Sequence, residues 1–140
     1  MLLGRIFHTA DAKNRIFIPA KFREELGKTF VITKNLRAAC LELYPMSVWA
    51  EREKLIENAS VELRDLIHEN TGEFEMDDMG RIVISPSAFD DFKLEKEIVF
   101  IGSQSFIKLW NVSSWNERKE IVGEKLKASK YDAELESLRF

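Results

Sequence analysis

Two short stretches carry the residues best suited to chemistry. "DAKNR" spans 11–15 and "DDMGR" spans 77–81. In each, an aspartate stands four residues before an arginine, and Asn14 or Gly80 directly precedes that arginine. A carboxylate at the start of a turn can accept backbone N–H groups or hold the guanidinium that follows. Arginine is a planar, permanently charged fork. Held at a rigid loop tip, it suits an anion or the O6/N7 edge of guanine, a pairing that discriminates by about 1–3 kcal/mol. Lys13, on the first turn, suits a phosphate contact that positions without specifying. The same Asp–Arg pairs could also do no more than close two hairpins.

Other chemistries find no support. One cysteine, Cys40, excludes an intramolecular disulfide framework and a cysteine-based metal cluster. Two distant histidines, His8 and His68, do not make a metal site or a triad. No nucleophile–base pair or phosphate loop accompanies Asp11/Arg15 or Asp77/Arg81, so an enzyme is not expected, nor a cofactor or a small-molecule substrate. Cys40 reads as a small core residue, and His8 as a partly buried strand residue with backbone-phosphate contact as the lesser alternative.

The elements that must position these residues come in two copies. At an offset of 66, Asp11 matches Asp77, Arg15 matches Arg81, and Ile16 matches Ile82. Further on, "CLELYPMSVW" (40–49) matches "FIKLWNVSSW" (106–115), which aligns Trp49 with Trp115. One inserted residue between these blocks brings Pro19 onto Pro86 and Phe22 onto Phe89. Each copy reads as a short strand, the turn, a second strand ending before proline, a short helical turn ("AKFREELG", "PSAFDDFK"), two more strands, and a helix. Ser47 and Ser113 are the expected N-caps of those helices, with Ser114–Glu117 as an alternative capping box. Asn14 and Gly80 share tolerance of a left-handed backbone, so φ > 0 is expected at both. Residues 56–72 read as a polar helical connector ended by Gly72. The two tryptophans, Phe74, Phe89 and Phe92 read as core or interface anchors. Each copy is too small to bury its own core, so the copies are expected to pack on one another and to bury more between subunits.

Charge is divided unevenly along the chain. The net value is only −3, but residues 1–37 hold eight basic and three acidic side chains, and residues 38–80 hold three basic and eleven acidic. A basic leading segment can steer a polyanion to one face. An uneven but merely solvated surface is the alternative. The start of the chain lacks the apolar stretch of a signal peptide, and no run is long enough to cross a membrane, so an intracellular protein is expected.

These features resemble the MraZ family of bacterial transcriptional regulators, whose subunits contain two AbrB-like (SpoVT-type) modules. The residues that carry the resemblance are "MLLGRIFHTADAKNRIFIPAKFREEL", "CLELYPMSVW", "FEMDDMGRIVISP" and "KEIVFIGSQSFIKLW". The resemblance implies an α+β fold: a duplicated AbrB-like swapped-hairpin, or double-split, β-barrel with flanking helices and a pseudo-two-fold within one chain. The implied division is a first module over 5–47, a helical connector over 48–75, a second module over 76–119 and a tail over 120–140. The family forms ring-shaped homo-oligomers that bind short G-containing direct repeats in double-stranded DNA and commonly repress the division and cell-wall gene cluster. The family's DNA-contacting arginine falls on Arg15, with Asp11 as its partner and Lys13 beside it; the second motif falls on Asp77 and Arg81. The implied location is the cytoplasm, with the nucleoid. Family members usually carry glycine where Asn14 stands, which puts base preference at that tip in question. An interaction module, ring-forming or antitoxin-like, is the competing reading, favoured by the acidic middle.

Overall fold

The computed structural model describes all 140 residues. The first copy supplies β1 (Arg5–Thr9), β2 (Arg15–Phe17), α1 (Ala20–Leu26), β3 (Thr29–Lys34), β4 (Cys40–Pro45) and α2 (Met46–Ile56). After α3 (Val61–Glu69), the second copy supplies β5 (Thr71–Glu75), β6 (Arg81–Val83), β7 (Glu97–Gly102), β8 (Ile107–Asn111) and α4 (Val112–Lys127). A last short helix, α5, spans Asp132–Ser137. The chain is α+β, with every strand pair antiparallel.

The copies exchange strands. The large sheet has the order β1-β7-β8-β4-β3-β5, and β2 pairs with β6 in a separate ribbon. Thus β1 of the first copy lies on β7 of the second, and β5 of the second lies on β3 of the first. The pattern is unchanged when the copies are swapped. Its centre is visible in the register: Ile16 faces its own counterpart Ile82, and Glu42 faces its own counterpart Lys108. Between those points the copies slip. Phe30 pairs with Pro45 as Ile98 pairs with Asn111, so β3 matches β7 two residues beyond the offset that relates Asp11 to Asp77. Two residues are gained before β7 and given back in the shorter β7–β8 connection.

Burial follows from this layering. β3 is "TFVITK", with four consecutive buried residues, because both faces of the sheet are covered. One face holds the main core, including Phe30, Ile32, Leu41, Leu43, Ile98, Phe100 and Leu109, closed by Ile16 and Ile82 from the ribbon and Phe22 and Leu26 from α1. The other face holds two smaller clusters. Trp49 and Ile56 of α2 cover Val31 and Tyr44; Trp115 of α4 covers Cys40, Val99 and Trp110. The tryptophans are core anchors as expected, and Cys40 is a buried core residue. Even the cations repeat: Arg52 lies over Tyr44 and Arg118 over Trp110, at matching places in the two copies.

Four local expectations are corrected. "PSAFDDFK" forms turns, not a helix, whereas "AKFREEL" forms α1. Ser and adjacent Asp residues compete with the backbone for hydrogen bonds, while Ala, Arg, Glu and Leu favour the helix. Ser47 and Ser113 are not N-caps, since α2 and α4 start two residues earlier than such caps would give, at Met46 and Val112, and their cap positions are Pro45 and Asn111. Ser114 likewise falls inside α4 and opens no capping box. Asn111 uses its side chain to hold the incoming loop: its Oδ1 accepts from Glu95 N–H at 2.8 Å and its Nδ2 donates to the Lys93 carbonyl at 2.7 Å. Ser113 Oγ donates to Glu95 at 2.6 Å. The connector helix α3 ends at Asn70, and Gly72 instead sits in β5, whose five residues join the sheet. No helix is long and apolar enough to cross a membrane.

Candidate nucleic-acid interface

The two Asp-x-x-x-Arg turns sit at the mouths of the β2–β6 ribbon and have one construction. In the first, Asp11 Oδ1 accepts the backbone N–H groups of Lys13 and Arg15, both at 2.9 Å. Its Oδ2 accepts Arg15 Nε–H at 2.6 Å. Asn14 N–H donates to the Asp11 carbonyl at 3.1 Å, and Asn14 has φ 55°. In the second, Asp77 Oδ1 accepts from Met79 and Arg81 N–H at 2.9 Å, and Oδ2 accepts Arg81 Nε–H at 2.7 Å. Gly80 N–H donates to the Asp77 carbonyl at 2.9 Å, and Gly80 has φ 80°. The left-handed expectation therefore holds at both positions.

Each aspartate thus does two jobs, closing the turn and fixing its arginine. The N–H of Arg15 chiefly, with the Arg15 guanidinium and Lys13 N–H, holds the Asp11 carboxyl below the ordinary 3.8; Arg81 and Met79 do the same for Asp77. Only Nε of each guanidinium is engaged by protein. The four terminal N–H donors of each fork stay free for a ligand.

The ribbon places the two forks together. Ile16 and Ile82 point into the core, so Arg15, Phe17, Arg81 and Val83 share the outward face. Arg15 is opposite Val83 and Arg81 opposite Phe17, which makes the arginines diagonal neighbours with Cα atoms about 7–8 Å apart. Both line one cleft of about 610 Å³ with Phe74, Glu75, Met76 and Asp77. The turns also lock to each other, since Ile18 N–H donates to the Gly80 carbonyl at 2.8 Å and Ile84 N–H to the Asn14 carbonyl at 3.2 Å.

Two cations that the sequence did not single out belong to this neighbourhood. Arg23, on α1, donates through Nε to the Ile18 carbonyl at 2.7 Å and lies flat against Gly80. Lys28 stands 3.5 Å from Glu75 and 3.9 Å from Asp78, so the acidic surroundings of the second turn are partly neutralised from the first copy. The signal for Arg23 was present in the repeat: it aligns with Asp90, an unlike residue, just as Gly80 aligns with Asn14. Lys13 is exposed at the first tip. His8 is half-buried, stacked 6.5 Å from Phe17. No group of three or more His, Cys, Asp or Glu residues could hold a metal ion.

Comparison with known proteins also finds two copies in the chain. The family model described as "MraZ protein, putative antitoxin-like" matches twice, over residues 1–65 and 67–134. A protein of Thermoanaerobacter sp. (strain X514) named transcriptional regulator MraZ is 37% identical over 123 residues, covering 84% of this chain and 85% of its own. A Moorella thermoacetica protein of the same name is 38% identical with the same coverage. One from Clostridium acetobutylicum is 35% identical over 127 residues, covering 86% of this chain and 88% of its own. With both copies matched and identity sustained across nearly the whole length, the chain belongs to the MraZ family.

Proposed function

We propose that this chain is a transcriptional regulator that binds double-stranded DNA sequence-specifically through the outward face of the β2–β6 ribbon. The observation that carries the reading is the pair of aspartate-held arginines, Arg15 and Arg81, presented side by side with their terminal donors free. A two-stranded ribbon is one of the elements the major groove admits, and an Arg fork matches the guanine edge. The spacing of the two arginines is about two base-pair steps. Asp11 and Asp77 orient the forks, Lys13 contacts phosphate, and Asn14 adds a side chain beside Arg15. The two strand-exchanged copies form one AbrB-like barrel. The chain works as a ring-shaped homo-oligomer on short G-containing direct repeats, where each subunit's modest contact is multiplied by avidity. Its regulatory effect is repression of the division and cell-wall gene cluster, without enzymatic turnover, in the cytoplasm at the nucleoid.

A second reading, an antitoxin-like interaction module, draws on the wording of the family description and on the exposed acids of α2 and α3. The two are separated by measuring binding to DNA upstream of the protein's own gene, with guanine replaced by 7-deazaguanine in each repeat. The DNA reading expects a clear loss of affinity, because the N7 acceptor is gone. Equal binding of both DNAs would remove the arginine-fork mechanism.

A further inference from the structure

The two tips are alike in their hydrogen bonds and unlike in what lies against them. A methyl group placed on Gly80 would stand 2.3 Å from Arg23 Nε and 2.4 Å from its Cζ. The space a side chain would use is filled by the guanidinium. Arg23 is anchored there by Ile18, whose carbonyl accepts from Arg23 while its N–H donates to Gly80. So α1 of the first copy is strapped across the turn of the second. The first turn has no arginine in the corresponding place. The residue aligned with Arg23 is Asp90, in a segment that is not helical. Asn14 instead borders two clefts, of about 480 and 120 Å³, lined in part by Leu94 and by Lys96 or Lys93.

We infer that Arg23 is a positioning residue for the second tip, and that its one-sided placement makes the two tips of each chain non-equivalent in DNA recognition. The second tip is a locked loop that holds Arg81 in one place. The first has no counterpart of Arg23 packed on its left-handed residue, although at both tips the guanidinium itself is held by its aspartate. The inference rests on the DNA-binding reading for its consequence, though not for its structural half.

The test has two arms on the full-length protein. In the first, hydrogen exchange of the DNA-free protein is followed over residues 11–17 and 77–83, leaving out Ile18 and Ile84, whose N–H groups donate to the opposite turn. Arg23→Ala is expected to speed exchange over 77–83 and leave 11–17 at the wild-type rate. Arg23→Lys keeps the charge but has no fork to lay on Gly80, and is expected to behave like Arg23→Ala. Equal acceleration of both segments, no acceleration, or full rescue by lysine would overturn the inference. In the second arm, guanine-N7 methylation interference on the upstream repeats is compared for wild type, Arg15→Ala, Arg81→Ala and Arg23→Ala. Arg23→Ala is expected to lose the guanines that Arg81→Ala loses and to keep those that depend on Arg15. Loss of both sets, or of neither, would refute it. If wild type shows no guanine dependence, the DNA reading fails while the exchange arm still decides the role of Arg23.

Discussion

Alanine at Gly80 should cost far more than alanine at Asn14, although both turns share one backbone. Asn14→Ala exchanges one side chain at φ 55° for another less suited to it, at a cost of about 1 kcal/mol. Gly80→Ala incurs about 1–2 kcal/mol for the same backbone region. It also adds a methyl group where Arg23 lies 2.3 Å away, so the guanidinium must leave the Ile18 carbonyl. Arg23 is half-buried, so that charged hydrogen bond is taken at the low end of its range, about 1.5 kcal/mol. The total is about 3 kcal/mol, about 2 more than for Asn14→Ala. With a urea slope of about 2 kcal/mol/M, the two midpoints should differ by about 1 M. Trp49, Trp110 and Trp115 report the transition by fluorescence, at one protomer concentration so that assembly is held constant. Gly80→Ala combined with Arg23→Ala should cost less than the sum of the two, because the second change removes the clash. Coincident midpoints for Gly80→Ala and Asn14→Ala, or strict additivity in the double variant, would refute the reasoning.

Two further outcomes are expected. The folded-state carboxyls of Asp11 and Asp77 lie below the ordinary 3.8, so their stabilising effect on the turns is complete above that pH and is lost as pH falls through the depressed values. Amide exchange at Arg15 and Arg81, corrected for intrinsic rates, should therefore rise below about pH 4 in the wild type, whereas in Asp11→Asn and Asp77→Asn exchange at the matching arginine should already be raised at neutral pH and show no such step; a flat wild-type profile would contradict the hydrogen-bond assignment. Ile16→Ala, at a fully buried residue on the axis relating the copies, should destabilise by about 2–5 kcal/mol in denaturant titration; a loss under about 1 kcal/mol would mean that the ribbon is not seated in the core.

Much of this arrangement was legible in the residues themselves. The offset that pairs Asp11 with Asp77 and Trp49 with Trp115 revealed the duplication, and β-branched and aromatic runs such as "TFVIT" and "EIVFIG" marked the strands. The Asn14/Gly80 pairing gave the sign of φ at both turns, because few residues tolerate that region. Strand partners were not legible. Period-two patterning says which residues face inward but not that β1 will lie on β7 and β5 on β3. The helix starts were misplaced because Ser47 and Ser113 have the right type for a cap, while Pro45 and Asn111 already end the preceding strands. The second short helix was misread by transfer from the first copy, although "SAFDDF" lacks the propensity of "AKFREEL". The role of Arg23 was not legible, since its partner, Gly80, is remote in sequence and offers only bare backbone. An unlike pair at each of two aligned positions, Asn14/Gly80 and Arg23/Asp90, was the trace of that contact.

The central claim is that Arg15 reads a base with its fork and does not merely add charge. Binding of Arg15→Lys to the upstream repeats and to unrelated DNA tests it most directly, at two salt concentrations. Lysine keeps the charge and loses the bidentate geometry, so the preference for the repeats should fall by about tenfold or more while binding to unrelated DNA and its salt dependence stay near wild type. An Arg15→Lys protein that keeps the wild-type preference at both salt concentrations would contradict the claim.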